Sequence, residues 1–157
     1  MNGSEKLFLA ALGSGLLPKA PGTWGSLVGL ATGASVLHLL GVETLFLLTI
    51  LVTLYGVKQI DIYEKRTGIH DDKRIVIDEV AGMWLALCFS GASAAALVSS
   101  FLFFRLFDIW KPSVIGKIDR EAPGGWGVMG DDLVAGAAAG LASALVLTGL
   151  RHLNLPV

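Results

Sequence analysis

VAGMWLALCFSGASAAALVSSFLFF, residues Val80 to Phe104, is a run of twenty-five residues without a charge. Asp78 and Glu79 stand immediately before it, and Arg105, Asp108 and Lys111 follow it. As one straight helix the run would hold these groups ~35 Å or more apart. Ser90-Gly91-Ala92-Ser93 argues against that, because Gly91 is a helix stop and Ser93 a fresh N-cap. The sequence therefore predicts a hairpin of two helices, Glu79 to Phe89 and Ala94 to Ile109, about 16 and 24 Å long. The open end of that hairpin gathers Asp78, Glu79 and Asp108 beside Arg105 and Lys111. Three carboxylates next to two cations have the make-up of a divalent-cation and phosphate site.

The whole chain shares the apolar bias of this run. Of its 157 residues, 54% are hydrophobic and only 16% charged, with a mean hydropathy of +0.68, whereas an ordinary soluble domain carries about 25% charged residues. The length fits a single domain, residues 1–157, with a core of its own. A net charge of -1 supplies no basic field, which argues against DNA or RNA as a partner. The lone Cys88 cannot form an internal disulfide and reads as a small buried hydrophobe. Met1 to Leu12 lacks the pattern of a cleavable signal peptide.

Along the chain, Ser4 is expected to cap a helix from Glu5 to Leu12 that Gly13 stops. Gly13 to Ser26 holds four glycines and two prolines and reads as a loop, with Thr23 capping a helix to about Leu40. Gly41 ends that helix, and a second long one runs from near Glu43 to Gly68, its charged C-terminal half projecting into water. Ile69 to Ile77 reads as loop. After the hairpin, Pro112 opens a short helix, Ser113 to Asp119. Glu121 to Gly130 reads as a second glycine-rich loop, and Asp131-Asp132 open a last helix, Leu133 to Leu150. The apolar stretches fall just short of the about 20 residues a bilayer crossing needs. The expectation is an all-α, compact multihelical bundle with a central helix and glycine-rich loops at the active-site end, its outer face leaning on a membrane.

Asp78-Glu79 and Asp131-Asp132 occupy the same place before an apolar helix. Acids there complement the helix dipole and cap free N–H groups, which accounts for one acid per helix but not for two. With Asp108 as a fifth carboxylate in apolar sequence, burial demands either a shifted pKa or a cation. Oxygen-only ligands select Mg2+ or Mn2+ over zinc. Arg105, Asp108 and Lys111 follow one another at intervals of three and share one helix face. They form either a local ion-pair ladder or a phosphate grip, with Arg105 as the fork and Lys111 as a point charge. Gly13 to Ser26 leads into a helix N-terminus suited to an anion, but it lacks the P-loop order. Gly-x-Ser-x-Gly, His-Glu-x-x-His and Cys-x-x-Cys are all absent. His38 and His152 read as structural or solvated. His70, eight residues before Asp78, is the histidine placed for acid–base work.

Four blocks in order now resemble one family. They are Gly13-Ser14-Gly15 through Pro21-Gly22-Thr23-Trp24-Gly25-Ser26, Asp78-Glu79-x-x-Gly82-Met83-Trp84, Phe104-Arg105-x-Phe107-Asp108-Ile109-Trp110-Lys111-Pro112, and Gly124-Gly125-Trp126-Gly127-Val128-Met129-Gly130-Asp131-Asp132-x-x-Ala135-Gly136. From about Phe8 to Gly140 the chain is similar to phosphatidylglycerophosphatase A, whereas Gly29 to Lys65 is generic apolar sequence. The resemblance implies a magnesium-dependent bacterial phosphatase that converts phosphatidylglycerophosphate to phosphatidylglycerol at the cytoplasmic face of the inner membrane, and a multihelical bundle with one central helix.

On this reading Asp78, Glu79, Asp108, Asp131 and Asp132 hold Mg2+. Arg105 and Lys111, with Lys19, Thr23 and His70, meet the phosphorylated headgroup of a phospholipid substrate at the membrane surface. Attack by water is the expected route, and an aspartyl-phosphate on one of the five carboxylates is the other. A different class of reading is a non-catalytic lipid-binding bundle, or a small transporter whose carboxylates line a cation path. It explains the apolar bias but not two glycine-rich segments beside acid pairs. The sequence leaves the oligomeric state open.

Overall fold

The computed structural model describes residues 1–112 and 114–153. Seven α-helices and one 3-10 turn are present among them: α1 Gly3–Phe8, the 3-10 turn Ser14–Leu16, α2 Pro21–Leu40, α3 Val42–Thr67, α4 Ile77–Ser90, α5 Ala94–Trp110, α6 Val114–Glu121 and α7 Gly124–His152. The predicted hairpin is α4 and α5. Gly91 turns the chain at φ +87°, and Ser93 Oγ accepts the Ala96 N–H at 3.2 Å. Gly41 and Gly68, both at positive φ, end α2 and α3 where expected.

Four local expectations are corrected. Asn2, not Ser4, caps α1, accepting the Glu5 N–H at 2.9 Å while Glu5 accepts the Asn2 N–H at 2.7 Å. That helix stops at Phe8 because the chain folds inward, with Ala11 and Leu12 at positive φ and Leu9, Ala10 and Ala11 buried. The first glycine-rich segment is mostly structured, since α2 begins with Pro21 at its first turn rather than with Thr23 as cap. The second is no loop: Glu121 closes α6, and α7 begins at Gly124, so Asp131 and Asp132 lie in its second and third turns instead of at a cap. The glycines there serve close approach, because a Cβ on Gly125 would run into the Val57 backbone. Ser113, the expected start of the short helix, lies outside the described residues. On α3 the polar stripe does reach solvent, but Ile60 and Tyr63 of the same half are fully buried.

Helix α4 is the central helix. It packs against α2, α3, α5 and α7, and Val80, Ala81, Gly82, Met83, Ala86 and Leu87 are all buried. Its contact with α7 is made through small residues. A Cβ on Gly136 would strike the Gly82 carbonyl, one on Gly140 would approach Ala86 Cα at 2.9 Å, and one on Gly82 would meet the Asp132 carbonyl and Phe104. Rising numbers meet rising numbers, so α4 and α7 run side by side in the same direction. Such small-residue contacts let backbones approach closely without a hydrophobic driving force between helices.

The outside of the bundle is apolar. Leu47 and Leu51 on α3, Leu102 on α5 and Leu145 on α7 are each more than 60% exposed. Helices α2, α3 and α7, at 20, 26 and 29 residues, are long and apolar enough to cross a membrane. They exceed the sequence estimate because α2 starts at Pro21 and α7 absorbs the second glycine-rich segment. This is a membrane protein.

Candidate active site

The α4–α7 register builds the site. Asp78 precedes Gly82 by one helical turn and Asp132 precedes Gly136 by one turn, so glycine contact at the crossing brings the carboxylates together above it. Asp78, Glu79 and Asp132 each offer an oxygen, and these oxygens lie within 4.8 Å of one another. Helix α5, returning along the hairpin, adds Arg105 and Asp108, whose Nη1 and Oδ2 atoms are 2.5 Å apart. The same Nη1 donates to Ser26 Oγ at 3.2 Å, tying α5 to the first turns of α2. Just past α5, Lys111 Nζ pairs with Asp131 Oδ2 at 2.6 Å.

These groups line one cavity of about 760 Å³, closed further by Pro21 and Gly22 of α2 and by His70, Asp71 and Lys73 of the segment between α3 and α4. All five sequence-predicted carboxylates line it, together with Arg105, Lys111 and His70. Their arrangement is graded: three acids form a tight nest, while Asp108 and Asp131 each carry a cation. Lys19 and Thr23 are not among the lining residues. His70 sits at the exposed mouth, with Nδ1 2.7 Å from Glu64 Oε1.

Burial sets the electrostatics. It pushes Glu79 up to about 8, with the charges of Asp132 and Asp108 adding to the rise. Burial, then the neighbouring Glu79, raises Asp78 well above the usual carboxylate range. Such groups stay ionised together only if a cation joins them. The residues fit one: Glu79 Oε2 is buried without a hydrogen-bond partner, and the donors are all carboxylate oxygens, the set that suits Mg2+ or Mn2+.

Several residues here were not singled out from sequence. Gly22 faces the Glu79 carboxylate so closely that a Cβ would overlap Oε1. Lys73 enters the lining from a charged run, His70-Asp71-Asp72-Lys73-Arg74, that gives no sign of which member points inward. Tyr63, Asp72 and Arg74 hold that run in place: Tyr63 donates to Asp72 Oδ2 at 2.6 Å, and Arg74 Nη2 donates to the same oxygen at 2.5 Å. The Arg74 guanidinium and the Tyr63 hydroxyl keep the Asp72 carboxyl far below its ordinary value against the opposing effect of burial.

Residues 7–147 match the family described as Phosphatidylglycerophosphatase A. The chain is 38% identical over 130 residues to phosphatidylglycerophosphatase A of Haemophilus influenzae, covering 82% of this chain and 80% of the relative. It is 36% identical over 137 residues to the protein of the same name from Escherichia coli K12, covering 87% and 79%. No solved structure matches the chain. Four blocks in order, three carboxylates gathered at the crossing of α4 and α7, and this similarity over most of the length agree: the chain belongs to the phosphatidylglycerophosphatase A family.

Proposed function

We propose that the protein is a Mg2+-dependent lipid phosphatase that hydrolyses phosphatidylglycerophosphate to phosphatidylglycerol and phosphate, a step of glycerophospholipid synthesis. The observation that carries this is the nest of Asp78, Glu79 and Asp132, its oxygens within 4.8 Å of one another and Glu79 Oε2 buried without a partner. Asp78, Glu79 and Asp132 would hold the ion, with Asp108 and Asp131 beside them. When bound there, Mg2+ supplies charge neutralisation for phosphoryl oxygens and lowers the pKa of a water.

The chain's own residues do the rest. Arg105 offers a planar fork to the phosphoryl group, oriented by Asp108 and Ser26, and Lys111 adds a second positive charge. Little covalent work is asked of the protein in phosphoryl transfer, so positioning and charge stabilisation dominate. Gly22 leaves open the space over Glu79 that a larger residue would fill.

The protein crosses the bacterial cytoplasmic membrane as a single domain, with the cavity at the cytosolic interface. Trp24, Trp110 and Trp126 are exposed near the cavity ends of α2, α5 and α7, where amphipathic rings favour the headgroup level. Lys19, Lys65, Arg66, Lys73, Lys111 and Lys117 lie toward the same end, whereas the turns at Leu40–Val42 and 91–93 hold no Lys or Arg. Arg151 and His152 at the far end of α7 are the exception to this positive-inside pattern.

Phosphate release from phosphatidylglycerophosphate in detergent micelles tests the proposal. Release is expected with Mg2+ and should stop on chelation. No release, or release indifferent to chelation, would defeat it.

A further inference from the structure

The cavity lining contains one cation that neither the nest nor its ion pairs use. Arg105 is engaged by Asp108 and Lys111 by Asp131. Lys73 lines the same cavity, is exposed, and its ammonium makes no ion pair among the described residues. It is nonetheless carried on a built segment. Glu64 Oε1 accepts the Asp71 N–H at 3.1 Å, Asp72 ties Tyr63 to Arg74, the Asp72 carbonyl accepts the Ile75 N–H at 2.7 Å, and the Val76 N–H donates to the Leu9 carbonyl at 2.9 Å. Gly15 lies against the Arg74 carbonyl with no room for a Cβ. The strap that carries Lys73 is therefore fixed on both sides of it.

The proposed substrate is charged at two places. A terminal phosphomonoester reacts, and a phosphodiester joins the headgroup glycerol to the diacylglycerol. Only one phosphate can occupy the nest. The other, left within a cavity lined by six acidic side chains, needs a cation of its own, since a desolvated anion near like charges is costly. A diester carries a single charge, which one ammonium on a flexible stem can meet. We infer that Lys73 determines specificity: its ammonium binds the phosphodiester of the headgroup while the phosphomonoester sits at Asp78, Glu79 and Asp132. This rests on the proposed lipid phosphatase activity.

The test is steady-state kinetics of the full chain with Mg2+ in uncharged detergent micelles, comparing wild type, Lys73→Gln and Lys73→Arg. Phosphatidylglycerophosphate is one substrate. Lysophosphatidic acid is the other, because it keeps the glycerol phosphomonoester but has a carboxylic ester in place of the phosphodiester; if it is not turned over, its inhibition constant is used. Lys73→Gln should raise KM for phosphatidylglycerophosphate about tenfold, the loss of one charge-assisted hydrogen bond, with a far smaller change in kcat. The constant for lysophosphatidic acid should change little, and Lys73→Arg should restore most of the difference.

An unchanged KM for phosphatidylglycerophosphate would overturn the inference, as would an equal rise for both lipids. A defect seen only on vesicles rich in anionic lipid, and absent in uncharged micelles, would assign Lys73 to attraction by the membrane surface instead. Failure of the wild type to release phosphate from phosphatidylglycerophosphate would remove the underlying activity, an outcome visible before any variant is compared.

Discussion

Gly22 and Glu79 are in van der Waals contact across the α2–α4 junction: a Cβ on Gly22 would overlap Glu79 Oε1 and come 3.4 Å from Arg105 Nη1. Glu79 is half-buried, and its carboxylate lies beside those of Asp78 and Asp132, so a displaced oxygen leaves its place in the nest. Gly22→Ala should therefore displace that oxygen while leaving the helices intact, and a shift of about 1 Å at a reacting centre costs about 100-fold in rate. Circular dichroism and turnover measured together check this. A folded variant with full activity would show that the Glu79 position is not critical.

Asp108 separates a catalytic cluster from an ion-pair ladder. Its carboxylate sits 2.5 Å from Arg105 Nη1 and also beside Asp132. Asp108→Asn keeps size and shape, so the fold should persist while activity falls by about a thousandfold, the scale of losing one charged group at a phosphoryl site. Arg105→Lys keeps the charge but loses the fork and should cost less, about tenfold to a hundredfold. Near-normal turnover of folded Asp108→Asn at ordinary Mg2+ would exclude Asp108 from the site.

The nest should make stability depend on pH in a direction set by the cation. Glu79 is raised from the usual 4.5 to about 8 in the folded protein, first by burial. The folded state then binds more protons than the unfolded state between those values, so stability falls as pH rises from about 4.5 toward 8. Melting curves of chelated protein should show that fall. Saturating Mg2+ should flatten it by stabilising the ionised nest, and Glu79→Gln should remove part of it. A melting temperature that is level across this range without metal contradicts the electrostatic account.

The α4–α7 crossing predicts opposite fates for two glycines of one helix. Gly136→Ala places a methyl against the Gly82 carbonyl, whereas a Cβ on Gly149 meets nothing within 4 Å. Overpacking of this kind costs about 1–3 kcal/mol, while relief of glycine's entropy within a helix stabilises by about 1 kcal/mol. Thermal unfolding in detergent should fall for Gly136→Ala and hold or rise for Gly149→Ala. Activity should drop with the first variant as Asp132 moves relative to Asp78.

Much of the fold was legible in the chain. The charge-free run broken by Ser90-Gly91-Ala92-Ser93 specified the α4–α5 hairpin because a glycine at positive φ and a serine cap act over a few residues. The same local chemistry placed the ends of α2 and α3 at Gly41 and Gly68. The acid pairs and Arg105 pointed to one cavity, since carboxylates in apolar sequence need partners wherever they end up.

Tertiary structure alone decided the rest. Gly125 and Gly127 look like loop residues in sequence, yet they lie within α7, because close backbone approach outweighs glycine's weak helix propensity, as it also does where Gly136 meets the Gly82 carbonyl of α4. That same contact, not the order of the acids along the chain, sets Asp132 against Asp78 and Glu79 and leaves Asp131 with Lys111. Lys73 reaches the cavity and Lys19 does not, because a hydrogen-bonded strap tied to Tyr63 fixes the first. Sequence determined which chemistry the chain could hold; the register between distant helices, a property of surfaces many residues apart, determined which atoms meet.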